Sequence, residues 1–279
     1  MAVIDDISVI VNRLTGGNSG TPDHASRYWD NRVDTLAATN TVQGRLTSLW
    51  QYEGAPAGGA APGGTVRVPT NATDGAYKQA NPGGGREKWL LSLNGWGSSG
   101  GSLIIVDRLL DISGFAADAT TTRTVGGTLT RNTGGLGNLI IAEIYTIVGT
   151  TATTITASYT NQAGTSGRTS TATAFGGTGL REAQRAIILP LQSGDTGVQA
   201  CASCALAATT GTAGDYGITI ARKIAQLDIP AGGGGAFRDL ISGTPAIIEV
   251  DTDACLAAYW VASGTAAPQA ECTLHMIEV

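Results

Sequence analysis

Charged side chains are scarce in this chain. Only 14% of its 279 residues are Asp, Glu, Lys or Arg, the formal net charge is −5, and lysine occurs only at Lys78, Lys88 and Lys223. A surface that follows nucleic-acid phosphates needs clustered Lys and Arg, so we expect no nucleic-acid partner. A sparsely charged surface is instead suited to contact with other subunits, because interface cores are depleted in charge.

Long apolar runs are also lacking. No stretch approaches the roughly 20 apolar residues of a membrane-spanning helix. Asp5 and Asp6 stand where a secretion signal carries basic residues, and the apolar run at 9–11 is far too short for such a signal. We therefore expect a soluble protein that is made in the cytoplasm and has no membrane partner.

Cysteine is rare, which removes the need for a disulfide framework. Cys201 and Cys204 form a C-x-x-C pair within a run, 198–206, that alternates like a strand. In a regular strand a spacing of three sends the two sulfurs to opposite faces, which disfavours a shared metal or redox site. We expect buried free thiols at Cys201, Cys204, Cys255 and Cys272.

Aromatic residues are few. Phe, Trp and Tyr together make up 5% of the chain, which disfavours the aromatic-lined clefts of glycosidases. Five tryptophans are more typical of cores and interfaces than of a sugar-stacking platform, although a carbohydrate-binding role stays open. The tryptophans are Trp29, Trp50, Trp89, Trp96 and Trp260.

No residue pattern predicts catalysis. Residues 97–101 match the G-x-S-x-G pattern of serine hydrolases, with Ser99 as the nucleophile, but a strand-like run at 103–106 stands where the required helix should begin. The chain has no G-K-[ST] phosphate loop, and His24 and His275 are not accompanied by carboxylates that would complete a metal site. We expect a protein that is not an enzyme and that has no cofactor.

Three acidic residues, Glu249, Asp251 and Asp253, follow one another at a spacing of two. In an extended chain this spacing sets all three carboxylates on one face, where they repel one another unless they are solvated or bridged by a cation. We expect a solvated strand end and no metal site, and we keep the three residues as candidate calcium ligands.

Residues 1–50 are predicted to form a helical N-terminal segment. Apolar residues at helical spacing predict a first helix, which glycines at 16 and 17 end. A cap and a first-turn proline at 21–23 predict a second helix as far as Leu36, and a third short element spans 42–50. We expect the apolar residues of this segment to contact other subunits. The interface candidates are Ile4, Ile7, Val11, Leu14, Trp29 and Trp50.

Residues 51–88 are predicted to form an arm rich in Gly, Ala and Pro. Residues 54–64 are of low complexity with little capacity to pack, and a second glycine-rich break lies at 82–85. We expect this arm to take its order from neighbouring subunits. A mobile surface loop is the alternative.

Residues 89–279 have the pattern of an all-β body, in which apolar runs of about 4 to 8 residues are separated by Gly, Asn, Thr and Ser. Because no long helix separates the runs, we expect a mainly β fold, specifically a β-sandwich or jelly-roll-like body. Four glycines at 232–235 leave open a division of this body near 231–236. The predicted strands are 89–93, 103–109, 139–148, 154–160, 186–191, 198–206, 217–224, 247–250, 254–262 and 272–279.

Two stretches of this body carry a resemblance to known proteins. One is Ser-Tyr-Thr-Asn-Gln-Ala-Gly-Thr-Ser-Gly-Arg at 158–168, and the other is Ile-Leu-Pro-Leu-Gln-Ser-Gly-Asp-Thr-Gly-Val at 188–198. With the small helical N-terminus and the Gly-, Ala- and Thr-rich β domain, they resemble β-rich structural proteins encoded in the head and tail modules of tailed bacteriophages. The resemblance covers about residues 100–228 of the sequence.

The resemblance implies a non-catalytic virion component. It implies a cement or decoration protein that clamps capsid subunits, forms a homo-oligomer, and has the major capsid protein or other virion proteins as partners. A minor tail, collar or fibre-attachment protein is the close alternative, and a carbohydrate- or receptor-binding virion module is another. No catalytic residue is carried over.

Overall fold

The computed structural model describes residues 24–31, 42–52, 57–241, 248–264 and 269–278. All regular structure in these ranges is β, and no helix in them is long and apolar enough to cross a membrane. The strands are β1 (His24–Asn31), β2 (Leu46–Ser48), β3 (Lys88–Gly97), β4 (Gly101–Phe115), β5 (Arg123–Thr124), β6 (Asn138–Thr146), β7 (Thr153–Asn161), β8 (Arg168–Thr169), β9 (Thr173–Phe175), β10 (Arg185–Leu189), β11 (Val198–Leu206), β12 (Asp215–Ile229), β13 (Gly234–Asp239), β14 (Ile248–Glu249), β15 (Leu256–Ala262) and β16 (Ala270–Glu278).

Six strands close into an antiparallel barrel in the order β10-β2-β15-β4-β12-β6. The two 15-residue strands, β4 and β12, pair along most of their length, and β12 also pairs with β6. Strand β2 links β15 to β10 and completes the closure. The mainly β prediction is confirmed, but the structure has a closed barrel where we expected a sandwich or jelly roll. The long central strands have room to pair on both sides, which makes closure feasible.

Two further sheets flank the barrel. The first flanking sheet has the order β1-β16-β3-β13, with β14 also pairing with β3. The second flanking sheet has the order β5-β11-β7-β8, with β9 also pairing with β7. Each sheet packs on the outside of the barrel.

Apolar side chains join each flanking sheet to the barrel. Leu103 and Leu227 of the barrel share a buried cluster with Leu274 of the first flanking sheet. Ile140 and Ile218 of the barrel share a second buried cluster with Tyr159 of the second flanking sheet. Fully burying one such side chain contributes roughly 1.5–3 kcal/mol, so the two clusters fix the sheets to the barrel.

The N-terminal helices are not borne out where the structure describes them. Residues 24–31, within the predicted second helix, form edge strand β1, which pairs with β16 from His24–Ile277 to Asn31–Ala270. The open edge of β16 supplies a backbone partner that local helical spacing does not reveal. Strand β2 lies in the range of the third predicted element. The first predicted helix, with Ile4, Ile7, Val11 and Leu14, lies outside the described residues.

Within the predicted arm, 51–88, the described residues 57–88 contact the chain's own barrel. The indole N–H of Trp50 donates to the carbonyl of Ala60 at 3.0 Å, and the amide of Tyr77 donates to the carbonyl of Leu256 at 2.8 Å. A Cβ added to Gly59 would lie 2.4 Å from the Trp50 ring, so this glycine permits close approach. The order of this segment therefore comes from intramolecular contacts.

Each of the ten predicted strands overlaps a strand of the structure. Strand β13 begins within the four glycines at 232–235, where the sequence left open a division of the body, and the strands after it pair with β3 and β4. Short strands such as β5, β8 and β9 were not predicted. Their few residues carry no periodicity that a sequence pattern could report.

Gly217 allows β12 to approach β4. A Cβ at this position would lie 1.9 Å from the carbonyl oxygen of Ile112, beside a register shift between Tyr216 and Ile218. We expect Gly217→Ala to lower the free energy of unfolding by about 3 kcal/mol, as overpacking does.

Urea denaturation measures this loss of stability. Gly134→Ala is the control, because nothing lies within 4 Å of its added Cβ, and we expect it to change stability by less than about 0.5 kcal/mol. Equal stabilities of the two variants would contradict the close-approach argument.

Candidate functional site

One end of the barrel exposes its aliphatic lining. Because neighbouring strands are antiparallel, the starts of β2, β4 and β6 lie at the same end as the finishes of β10 and β15. Deeper inward-facing residues such as Val106 and Ile141 are buried, whereas those at this end are half-buried or, for Ile188, 41% exposed. We define the barrel mouth as Leu46, Ile104, Leu139, Ile188 and Val261.

The opposite end of the barrel is closed by Trp50. This indole is 1% exposed, and the guanidinium of Arg108 lies 4.3 Å from the ring centroid. Trp50 is therefore a core residue in this structure and not the exposed interface anchor that we expected. Trp29, another interface candidate, lies in β1 with its backbone opposite Cys272.

A buried ion pair occupies the middle of the barrel. The two terminal nitrogens of Arg108 donate to the two carboxylate oxygens of Glu143 at 2.9 and 2.8 Å. Tyr145 and Thr219 donate their hydroxyls to Glu143 at 2.6 and 2.8 Å, and the Tyr259 hydroxyl also donates to it. The carboxylate thus has partners on both oxygens.

The ion pair continues toward the surface through Asp111. Its carboxylate accepts from Arg108 at 3.1 Å and from Arg67 at 2.6 Å. Arg67 belongs to the segment 57–88, so this chain of charges also holds that segment on the barrel. A second buried pair joins Arg131 to Asp107, with two contacts of 3.0 Å.

The electrostatics favour charged forms of Arg108 and Glu143. Burial alone would raise the pKa of Glu143, but the charge of Arg108 and hydrogen bonds from Arg108, Tyr145 and Tyr259 lower it to about 2. Burial, followed by the charge of Glu143, raises the pKa values of Tyr145 and Tyr259 well above the usual range. At neutral pH the centre is therefore a fixed ion pair with two neutral phenols.

The sequence analysis did not select Arg108 or Glu143. A signal was present, because Glu143 interrupts an otherwise apolar run, and Arg108 lies with Asp107 and Asp111 inside another run whose apolar members are largely buried. A charge within such a run is seldom buried without a partner. These charges within apolar runs indicate buried ion pairs, although the sequence does not single out Glu143 as the partner of Arg108.

A carboxylate brings together the two stretches that carry the phage resemblance. Asp195 accepts two hydrogen bonds from Arg168, at 2.9 and 3.2 Å, one from the Tyr159 hydroxyl at 2.6 Å and one from Asn161 at 2.7 Å. These bonds, led by that of Arg168, lower the pKa of Asp195 to about 2. Asp195 therefore fixes the loop after β10 against β7 and β8.

The three candidate calcium ligands do not lie along one extended strand. Strand β14 ends at Glu249, and Asp253 has a left-handed φ of 61°. Asp251 pairs with Arg222 at 3.4 Å, and Asp253 accepts from Asn81 at 2.6 Å. Within the described ranges, no three His, Cys, Asp or Glu side chains are grouped to hold a metal ion.

The cysteine pair departs from simple alternation. A register shift between Cys201 and Ser203 inserts an extra residue, so Cys201 and Cys204 both enter the same buried cluster. The prediction that their sulfurs face opposite ways is therefore wrong. The expectation of buried free thiols is confirmed for all four cysteines.

The remaining motif, residues 97–101, spans the end of β3, the turn 98–100 and the first residue of β4. Ser99 lies in this turn, and a strand follows it, as the sequence predicted. His275 lies in the last strand, β16, also as predicted.

Replacing Glu143 by Gln removes the closer of the two carboxylates that pair with the buried Arg108 and leaves only Asp111, at 3.1 Å, which Arg67 shares. We expect Glu143→Gln to lower the free energy of unfolding by about 3–5 kcal/mol at pH 7. Asp74→Asn, which alters an exposed ion pair with Lys78, is the control and should change it by less than about 1 kcal/mol. A small effect of Glu143→Gln would contradict the buried ion pair.

The same carboxylate predicts a pH dependence. Its pKa is lowered from 4.5 to about 2 on folding, so its stabilisation is fully present above pH 4.5 and is lost as the pH falls through about 2. The loss should be on the order of 3 kcal/mol. Urea titrations from pH 5 to pH 2 should show a steeper fall for the native protein than for Glu143→Gln, and parallel curves would contradict the assignment.

The four thiols should be unreactive in the folded protein. Burial raises the pKa values of Cys204, Cys255 and Cys272 to about 12, and that of Cys201 higher still. We expect a thiol reagent at pH 8 to label no cysteine in native protein and all four in urea. Rapid labelling of Cys201 or Cys204 in native protein would contradict the packing.

Comparisons with known proteins identify no family. No protein-family model matches this chain, and no curated protein matches it. A solved chain from the "Structure of infectious bursal disease virus Gt strain" matches with a TM-score of 0.19 and 11% identity, over 97% of this chain and 86% of that chain. A similarity this weak supports no argument about fold or function.

Proposed function

We propose that this protein is a non-catalytic structural component of a tailed-phage virion. In this role it is a cement or decoration protein that stabilises the capsid through repeated contacts with neighbouring subunits. Its partners are the major capsid protein or other virion proteins, together with copies of itself. The proposal combines the sequence resemblance with the surface chemistry of the barrel.

The barrel mouth is the observation that carries this proposal. Exposed apolar residues that occur singly are normal on a protein surface, whereas contiguous apolar patches mark interaction sites. Five strands each contribute one aliphatic side chain to the barrel mouth, and Ile188 remains 41% exposed. Covering the part of each side chain that still meets water contributes roughly 1 kcal/mol.

The surroundings of the barrel mouth support binding without a large conformational change. The ion pair of Arg108 and Glu143 and the flanking sheets hold the strands that carry it. A pre-formed surface loses little entropy on association. The low charge of the chain as a whole also keeps the desolvation penalty of broad subunit contacts small.

Sedimentation with empty shells of the phage that encodes this protein tests the proposal. We expect native protein to pellet with the shells at a fixed ratio, and Ile188→Glu to reduce binding about tenfold or more, because it places a charge in the apolar contact. Protein that stays in the supernatant with every shell preparation would contradict the cement role.

Ile147→Glu is the matched control. Ile147 is 44% exposed, close to the 41% of Ile188, but it follows β6 at the other end of the barrel. We expect this variant to pellet like native protein, and both variants to unfold at the native temperature. Equal loss of binding in the two variants would show that the barrel mouth is not the contact.

A further inference from the structure

The outward face of the first flanking sheet differs in chemistry from the barrel mouth. Strand register places Trp96 directly beside Gly235 on one side and Glu271 on the other. It places Asn94 between Phe237 and Thr273 in the next row. We define the outer sheet face as Asn94, Trp96, Phe237, Glu271 and Thr273.

Two aromatic rings on this face meet water. Trp96 is 41% exposed and Phe237 is 66% exposed. The inward residues of the same strands, such as Leu93 and Leu274, are fully buried. The rings therefore do not contribute to the core cluster of this sheet, and they alternate with polar side chains.

A cleft of about 170 Å³ lies beside Trp96. It is lined by Asn94, Gly95, Trp96, Glu271, Cys272 and Thr273. The cleft is smaller than the roughly 300 Å³ of sites that enclose a drug-sized ligand. It suits one ring of a longer molecule that continues across the sheet.

We propose that the outer sheet face binds a neutral glycan built of pyranose rings. A pyranose presents an apolar C–H face, which stacks on the exposed indole of Trp96, and a rim of hydroxyls. The amide of Asn94 and the hydroxyl of Thr273 can exchange hydrogen bonds with that rim. Phe237, one row away, receives the next ring of the chain.

The groups that this face offers suit an uncharged ligand. Trp96, Phe237, Asn94 and Thr273 supply two aromatic rings, an amide and a hydroxyl, and none of these four side chains is a cation that would pair with a sulfate or a sialic-acid carboxylate. Arg238, on neighbouring β13, lies opposite Leu93 on the inward side and donates to the carbonyl of Gln226. We therefore assign the site to uncharged hexose or N-acetylhexosamine chains.

A protein partner suits this face less well than the barrel mouth does. The five side chains of the barrel mouth are aliphatic, and a polar side chain borders them on β12, where Gln226 lies beside Ile104. On the outer sheet face, every position beside an aromatic ring in the register is glycine or a hydrogen-bonding side chain. The glycan site does not depend on the capsid proposal, because it lies on a different sheet and uses no residue of the barrel mouth.

Isothermal titration of full-length protein with neutral oligosaccharides tests this site. The probes are cellohexaose, maltoheptaose, chitohexaose and mannohexaose at millimolar concentration, with a sialylated oligosaccharide as the charged comparison. We expect at least one neutral probe to bind and the sialylated probe to bind more weakly. Absence of binding by all four neutral probes would overturn the proposal.

Two variants and a control test whether the oligosaccharide binds at the outer sheet face. Trp96→Ala should weaken binding about tenfold or more through loss of stacking, and Asn94→Ala should weaken it about threefold through loss of one neutral hydrogen bond. Ile147→Ala is the control and should bind like native protein. Unchanged affinity of Trp96→Ala would overturn the site, since this exposed substitution should leave the fold intact.

Sedimentation with phage shells separates this proposal from the capsid role. We expect Trp96→Ala to pellet with shells as native protein does while it loses glycan binding. Loss of both activities in a folded Trp96→Ala would contradict the separation of the two surfaces.

Discussion

The buried ion pair between Arg108 and Glu143 is the interaction on which the rest of the structure depends. Removing two charges from water costs several kcal/mol for each ion, and only close pairing with further hydrogen bonds offsets that penalty. Here the charges meet inside a six-strand barrel, in contact with three hydroxyls and the ring of Trp50. Strands β4, β6, β12 and β15 each place a partner at the centre, so the ion pair fixes their relative positions.

This polar centre gives the two ends of the barrel different properties. Toward one end, Asp111 and Arg67 extend the charges to the segment 57–88, and Trp50 closes the interior. Toward the other end five of the six strands contribute an aliphatic side chain, and the lining remains partly open to solvent at the barrel mouth. The outer sheet face adds a third kind of surface, with exposed aromatic rings among polar groups. Aliphatic and aromatic-polar surfaces suit different ligands, so the two proposals concern different parts of the molecule.

Sequence patterns predicted the strands well and their arrangement poorly. Alternation and apolar runs located β7 and β11 closely, because these strands have one face on the core and one toward solvent. Closure of the barrel depends on pairings between distant strands, such as β2 with β10, which local periodicity does not encode. Strand β1 was not predicted for the same reason, because its partner β16 lies at the other end of the chain.

At two candidate sites, local irregularities in the backbone made predictions from regular strand spacing wrong. The bulge after Cys201 brought two sulfurs into one cluster, and the left-handed turn at Asp253 ended the row of carboxylates. The glycines near Trp50 read as a linker, but they permit close packing. Exposure of Trp96 and Phe237 could not be predicted, because composition does not say which face of a strand lies on the core.

The central claim is the proposal that the barrel mouth is an assembly contact in a phage particle, and a cryo-electron-microscopy map of that proposed particle tests it most directly. The account predicts density for this protein on the shell, with side chains of a neighbouring subunit covering Ile188 and Leu139. A map in which the protein is bound but its barrel mouth faces solvent would contradict the account, as would particles that lack the protein.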